Sequence, residues 1–412
     1  MKNWQKLTTN QRIERIQHAL KENVNFVQDI SLGYPASKLD GKVFNDDAPF
    51  LKDAPVLMTY VANPNHIGCH TTGTSETAFK GTQEIEREVL EIVAVDIFKS
   101  AKNEYDGYMA TGGTEANIQA LWIYRNFFVN TQQAKSDEIM IVASEDTHYS
   151  IAKGANLLSI DLMKVKVDFE TRSIMENEFE VSLTKAISEG KKYFIVVTNM
   201  GTTMFGSVDN PDTYTNLLDQ YNVGYKLHID AAYGGFVYPF TTTDSQLDFL
   251  NKKISSITID AHKMLQAPYG SGIFLCRKNL IENVLTKEAE YVEGMDLTLC
   301  GSRSGANAIA VWMILTTYGE NGWFEKVKIL QMRTDWICKQ LDALGIEYFR
   351  EPSMNIVTIK AEYIPAYIAH QYDLIPQKHN DDNKWYKIVL MEHVEVDSLN
   401  HLIEDLKKLV TT

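Results

Sequence analysis

The chain has 412 residues, 40 lysines and arginines against 54 aspartates and glutamates, a net charge of −14, and 44% hydrophobic residues. This balance excludes a protein whose main work is neutralising nucleic-acid phosphate or docking on anionic lipid, since both need a net basic surface. A small molecule is therefore the expected partner, with no nucleic acid and no membrane. Cys69, Cys276, Cys300 and Cys338 stand singly, without a second cysteine or histidine at zinc spacing, so no metal is expected. The opening MKNWQKLTTNQRIERIQHAL lacks the apolar stretch of a secretory signal, and no run reaches the roughly 18 apolar residues of a membrane helix. The expected compartment is the cytoplasm.

Residues 4–28 place Trp4, Leu7, Ile13, Ile16, Leu20 and Val24 mostly three or four apart, which predicts an amphipathic N-terminal helix. Gly33, Pro35 and Gly41 mark an irregular lead-in. From about residue 55, apolar runs at 56–61, 107–110, 139–143, 194–198, 226–229, 256–259 and 272–276 read as strands. Helical patterns at 83–98, 115–128, 149–157 and 211–221 separate them. Apolar strands alternating with helices predict an α/β fold, a mostly parallel seven-stranded sheet sandwiched by helices. After about residue 310 the pattern changes: helices at 306–319 and 325–343 precede strands at 347–349 and 355–360, a helix at 364–371, a strand at 386–391 and a helix at 396–409. That predicts a smaller C-terminal α+β domain. The expected division is an N-terminal helical segment 1–55, a large domain 56–310 and a small domain 311–412.

Five segments place unusual residues at expected strand ends, where open α/β sheets hold their ligands. Thr111-Gly112-Gly113-Thr114-Glu115-Ala116-Asn117 follows a strand and opens a helix. Its glycines and free helix-start N–H groups suit a phosphate, although a plain turn with Thr114 as helix cap has the same pattern. Asp146-Thr147-His148-Tyr149-Ser150 offers a ring that either lies flat on a heterocycle or closes a loop. Thr202 and Thr203, beside Gly201, either steady a ligand oxygen or close their own turn. Asp230, in Leu227-His228-Ile229-Asp230-Ala231-Ala232, ends an apolar strand and needs a partner such as a protonated ring nitrogen, an arginine or backbone amides. Lys263, in Asp260-Ala261-His262-Lys263-Met264, lies just past a buried strand. A desolvated lysine is a nucleophile for aldehydes, whereas one whose head reaches water is not specialised.

Each segment alone has a bland reading. Together, a phosphate turn, a stacking histidine, an aspartate for a ring nitrogen and a reactive lysine on one α/β domain make the contact set of pyridoxal phosphate. The stretches DTHYSIAK, GTTMFGSVDN, LHIDAAYGGFVYPF, DAHKM and CGSRSG, in this order, resemble the group II pyridoxal-phosphate-dependent amino acid decarboxylases of fold type I. The resemblance runs over about residues 30 to 330 and looks closest to compact bacterial histidine decarboxylases and plant serine decarboxylases.

The resemblance implies an L-amino acid α-decarboxylase, releasing an amine and CO2 and working as a homodimer. It implies that Lys263 binds the cofactor's aldehyde carbon, and that His262, Gly113 and Thr114 hold the phosphate. It sets Asp230 against the pyridine N–H, Ala232 beneath the ring, His148 above it and Thr203 beside it. The segment Gly301-Ser302-Arg303 would close the site and reach the neighbouring subunit's phosphate, with Ser302 as a cofactor contact. Tyr291, in EAEYVEGMD, falls where the family has a mobile segment near its catalytic tyrosine. The expected catalytic residues are thus Lys263, His148, Asp230 and Tyr291.

The stretch from Ala62 to His70 departs from the histidine decarboxylases, so histidine specificity does not carry over. His66, His70 and Arg303 are the candidates for reading the substrate, and the amino acid stays open. The rival activities are a carbon–carbon aldehyde-lyase of the phospho-sphingoid type, which has a similar glycine turn, and an aminotransferase. A cofactor-binding regulator without turnover is a further reading, against which intact Lys263, Asp230 and His148 speak.

Overall fold

The computed structural model describes residues 4–23, 54, 57–59, 65–66, 75–244, 246–289, 293–380 and 382–410, with only the backbone of Asn65, His66 and Val410. Helix α1 (Thr9–Glu22) begins at a capping box, in which Thr8 Oγ1 accepts the Gln11 amide while the Gln11 side chain accepts the Thr8 amide. It is shorter than the expected 4–28: Trp4 precedes it, buried, with its Nε1 donating to Leu315 O at 3.0 Å. Residues 24–28 lie outside the described residues. The pair Asn65–His66 forms strand β1, and helix α2 (Lys80–Glu91) continues into a π-helical turn over Ile92–Ile97.

The large unit then runs β2 (Tyr105–Ala110), α3 (Gly113–Gln132), β3 (Ile139–Ser144), α4 (Tyr149–Leu158), β4 (Asp161–Val165) and α5 (Glu176–Ser188). It continues with β5 (Tyr193–Asn199), α6 (Pro211–Gln220), β6 (Gly224–Asp230), β7 (Ile254–Asp260) and β8 (Gly272–Arg277). The sheet order is β2-β8-β7-β6-β5-β3-β4, and β8 alone runs against the other six strands. Both faces are covered, as the apolar runs predict. Ile141, Ile195 and Val197 point into the core beneath α3 and α4, while Val142, Phe194 and Val196 point into the larger core on the other side.

One expected strand is corrected. The described residues 57–59 are helical, and Met58 N donates to Ala54 O at 3.0 Å, so the run at 56–61 does not supply a strand there. The seventh strand is β4 instead, an edge strand paired only to β3.

Strand β9 (Arg303–Ser304) pairs with β1, and helix α7 (Gly305–Ala343) follows. It holds the two expected helices, which meet at a kink where Gly319 leaves the helical region (φ 63°), and the first of them runs across the expected boundary at 310. The chain ends with β10 (Tyr348–Phe349), β11 (Ile356–Lys360), α8 (Ala366–Gln371), β12 (Ile375–Pro376), β13 (Trp385–Val389) and α9 (Val396–Val410). The second sheet, in order β10-β11-β13-β12, is antiparallel throughout and has its own core around Ile337, Leu341, Val357, Ile359 and Ile403. Among the described residues no helix is long and apolar enough to cross a membrane.

Candidate active site

Strands β2, β3, β5, β6 and β7 are mutually parallel, so their C-terminal ends lie on one edge of the sheet. That edge carries Gly113 and Thr114 after β2, His148 after β3, Thr203 after β5, Asp230 and Ala232 at and after β6, and His262 and Lys263 after β7. A cavity of about 280 Å³ is lined by Gly113, Thr114, His148, Ala232, His262 and Lys263, together with Asn117, Tyr149, Asp260 and Tyr269. A narrow inner recess, lined by Asp230, Thr203 and Tyr233, shares His148, Ala232 and Lys263 with it. Two larger clefts, of about 520 and 640 Å³, open beside Trp4, Asp96 and Lys99 and include none of these side chains. Here the chemistry of the lining, not the volume, locates the site.

The turn before α3 is built to approach something closely. Helix α3 starts at Gly113, and its N-cap is Gly112 without any capping side chain, so Thr114 lies inside the helix and the first N–H groups are left for a ligand. A Cβ on Gly272 would stand 2.7 Å from Gly112 Cα, so only a glycine lets β8 pass behind the turn. Facing the turn, His262 Nδ1 and Asp260 Oδ1 are buried without a hydrogen-bond partner among the described residues. Free amides and an unpaired ring nitrogen around a glycine turn suit a phosphate group, with the charge of Asp260 offset by Lys263 Nζ at 3.2 Å.

Lys263 Nζ lies 3.2 Å from Asp260 Oδ2, with 36% of its side chain exposed. Of the two readings the sequence leaves open, desolvated or reaching water, it takes a middle course: its amine is paired yet reachable from the cleft. Asp230 is 6% exposed: Oδ1 accepts the Ala232 amide at 3.1 Å and Oδ2 accepts Asn117 Nδ2 at 2.8 Å. His148 is the N-cap of α4, where Nδ1 accepts the Ser150 amide at 3.3 Å and meets Ser150 Oγ at 2.9 Å. Burial pushes its pKa below the ordinary histidine value, against the pull of Asp230. Ala232, small and buried between Asp230 and the cavity, leaves room for a flat ring.

Not every expected residue joins this set. Arg303 is buried against Glu86, with side-chain exposures of 1% and 0%, and its guanidinium also meets Met109 O at 3.4 Å. It lines neither cavity, because a buried carboxylate at that depth holds a guanidinium more strongly than an open cleft would. Ser302 is exposed and also stands apart from both cavities. The backbone of His66 pairs with that of Arg303. His70 and Tyr291 lie outside the described residues.

Four residues that the motifs contain without an expected role join this set: Asn117 and Asp260 line the cavity, Ser150 bonds His148, and His228 bonds Asn117. The signal for His228 was present, since it stands two positions before Asp230 on one strand and therefore on the same face. Asn117 stands one helical turn after Gly113, which places both on the cavity side of α3.

A lysine reachable from the cleft, a buried carboxylate and a glycine turn with free helix-start amides, gathered at the ends of parallel strands, form the arrangement that the resemblance to pyridoxal-phosphate enzymes of fold type I implies. Comparison with known proteins agrees. The pattern of the pyridoxal-dependent decarboxylase conserved domain matches residues 67–357. A tryptophan decarboxylase of Clostridium sporogenes is 54% identical over 408 residues, covering 99% of this chain and 98% of its own. A probable L-tyrosine/L-aspartate decarboxylase of Methanocella arvoryzae is 30% identical, covering 87% of this chain and 95% of its own. Among solved structures, an L-methionine decarboxylase of a Streptomyces species superposes with a TM-score of 0.73 over 98% of this chain and 96% of that one, at 18% identity. A sphingosine-1-phosphate lyase of Burkholderia pseudomallei gives 0.68 over 80% and 77%, also at 18% identity, so these two likenesses speak to the fold alone. The chain belongs to the group II pyridoxal-phosphate-dependent decarboxylase family. Its reaction is the removal of the carboxylate of an amino acid, and its cofactor is pyridoxal phosphate.

Proposed function

We propose that the amino acid is tryptophan, converted to tryptamine and CO2 by a cytoplasmic homodimer. The observation that carries the substrate is the 54% identity to a tryptophan decarboxylase over almost the whole of both chains. The second subunit is supported by the rim of the cavity, where Tyr149 and Tyr269 are 65% and 89% exposed. Two large rings left open on one cleft rim suit cover by a second chain. The separate cores of the two sheets support the division into a large unit, 56–310, and a small one, 311–412, behind an N-terminal segment, 1–55.

Pyridoxal phosphate, when bound, supplies the electron sink for the pair released as the carboxylate leaves. Gly113, Thr114 and His262 would hold its phosphate, and Lys263 Nζ would be the amine for its aldehyde carbon. The Asp230 carboxylate would accept the ring N–H and hold that proton by opposite charge. His148 and Ala232 would bracket the ring, with Thr203 beside it. The walls of the cleft would then orient the substrate's carboxylate, and orientation decides which bond breaks. The proton for Cα would come from His148 or from a tyrosine such as Tyr291, the latter on the family resemblance alone.

The test is parallel incubation of the purified enzyme with tryptophan, phenylalanine, tyrosine, aspartate, histidine and methionine, followed by mass spectrometry. Tryptamine should form fastest; a faster amine from another substrate overturns the tryptophan assignment, and an aldehyde fragment or keto acid in its place overturns α-decarboxylation. Sedimentation should give twice 46.8 kDa, and a fully active species of 46.8 kDa contradicts the dimer. Cell fractionation checks the compartment, and limited proteolysis near residue 310 checks the division.

A further inference from the structure

We propose that Asn117 is a positioning residue that ties together the two cofactor-facing side chains, Asp230 and His148, and that buried His228 sets the direction of its hydrogen bonds. The inference rests on Asp230 and His148 being cofactor contacts. Its substance is a continuous polar chain through the core beneath the cleft. Asn117 Nδ2 reaches both Asp230 Oδ2, at 2.8 Å, and Ser150 Oγ, at 2.9 Å. Asn117 Oδ1 lies 2.9 Å from His228 Nε2, and His228 Nδ1 lies 2.6 Å from Ser256 Oγ. Ser256 in turn accepts the hydroxyl of Tyr124. Asn117, Ser150, His228 and Ser256 are all 1% exposed or less, so water does not compete.

The direction of every bond follows from one fixed end. An ionised Asp230 only accepts, so the amide nitrogen of Asn117 must face it, and both amide hydrogens are then used, on Asp230 and Ser150. The amide oxygen is left facing His228, which must donate from Nε2; Thr258 Oγ1, 3.3 Å from the same nitrogen, is then a second acceptor of that hydrogen. Burial lowers the pKa of His228 to about 4, so the ring is neutral and Nδ1 is an acceptor, taking the hydroxyl hydrogen of Ser256. Ser256 can do so because Tyr124 donates to its oxygen. At the other end, Ser150 accepts from Asn117 and offers its own hydroxyl hydrogen to His148 Nδ1, which already accepts the Ser150 amide. His148 therefore carries its ring proton on Nε2. One amide thus holds the carboxylate against one part of the cofactor and, through one hydroxyl, holds the tautomer of the imidazole on another.

A merely structural Asn117 would affect folding; a positioning Asn117 affects titration and rate. Removing its amide leaves Asp230 Oδ2 buried with one donor fewer, which destabilises the charged carboxylate and weakens its hold on the ring proton. Asn117→Ala should therefore lower kcat by about ten- to a hundredfold with KM changed by less than about twofold, and should move the acid limb of the pH profile and of the holoenzyme's visible absorbance upward by about one unit. His228→Gln, which keeps a side-chain N–H, should retain more kcat than His228→Leu, which has none. Independently of turnover, ¹⁵N-histidine NMR of the cofactor-free wild type at neutral pH should show His228 and His148 neutral with the proton on Nε2. Wild-type kinetics and titration in Asn117→Ala, or a protonated Nδ1 on His228, overturns this inference. A wild-type protein that holds no cofactor overturns the underlying reading instead, so the two failures are distinct.

Discussion

In the seven-stranded sheet, Asp230 and Asp260 end their strands and Gly113, His148, Thr203 and Lys263 come within a few residues of a strand's end, all on one edge. In the four-stranded sheet no such gathering occurs, and its links to the cleft are Lys387 Nζ on Thr203 O, at 2.8 Å, and Asn355 Oδ1 on Tyr233 OH, at 3.0 Å. The difference is one of strand direction. Parallel strands bring every C-terminal end to the same side, so residues far apart in sequence meet there, whereas antiparallel neighbours send successive ends to opposite sides. The first sheet therefore carries chemistry and the second stability.

Substitutions break or sharpen that contrast. Lys263→Ala should lower CO2 release by at least about 10⁴-fold, some 5 kcal/mol or more of barrier, with circular dichroism unchanged. Asp230→Ala should slow the reaction by about 10²- to 10³-fold, or about 3–4 kcal/mol, read as kcat in the same assay. Across the boundary, Ile359→Ala removes a fully buried side chain of the small core and should cost about 2–5 kcal/mol in denaturant unfolding while leaving kcat at low temperature unchanged. A kcat that falls with it would make the small sheet part of the catalytic frame.

A weaker effect comes from Asp209, which is buried and accepts both the amide and the side-chain N–H of Asn199. Burial raises its pKa to about 7. Its folded value lies above the unfolded one, so the folded state binds the extra proton: stability is full below about pH 4 and declines as pH rises towards 7, by at most about 1.4 kcal/mol per pH unit. Asp209→Asn should flatten that slope in urea titrations between pH 4 and 7. The smallest change belongs to Lys360→Ala, which removes ion pairs to Glu170 and Glu347 at the surface of the small sheet and should leave both melting temperature and kcat near wild type.

The sequence pattern carries the central strands well because both their faces are buried and the apolar runs are unbroken. It hides β4, whose Asp161 and Lys164 are exposed and whose Leu162 and Met163 are half-buried, as befits an edge strand. Helix α5 keeps Phe179, Leu183 and Ala186 at helical spacing, yet exposed Val181 and the surrounding glutamates blur the stripe. The run PVLMTYV reads as a strand by composition, and its helical turn at 57–59 shows tertiary surroundings overriding propensity. In the site, residues at strand ends are legible because the motif order places them. Arg303 is not, since its partner Glu86 lies on a helix that no local pattern connects to it.

Helix α7 has two addresses: Val311 and Trp312 lie in the large core, Ile337 and Leu341 in the small one. At Gly319 the backbone leaves the helical region, and a Cβ there would stand 2.8 Å from Lys6 N. Just before that joint, Leu7 N donates to Thr316 O at 2.8 Å. Beyond the joint, Trp323, Val327 and Leu330 still lie in the large core, and Trp323 Nε1 donates to Phe236 O at 3.0 Å, so the helix is held on both sides of its bend. The N-terminal segment thus closes over the one bend of the helix that joins the two cores, and trimming residues 4–7 should loosen that joint rather than remove any group that carries the reaction.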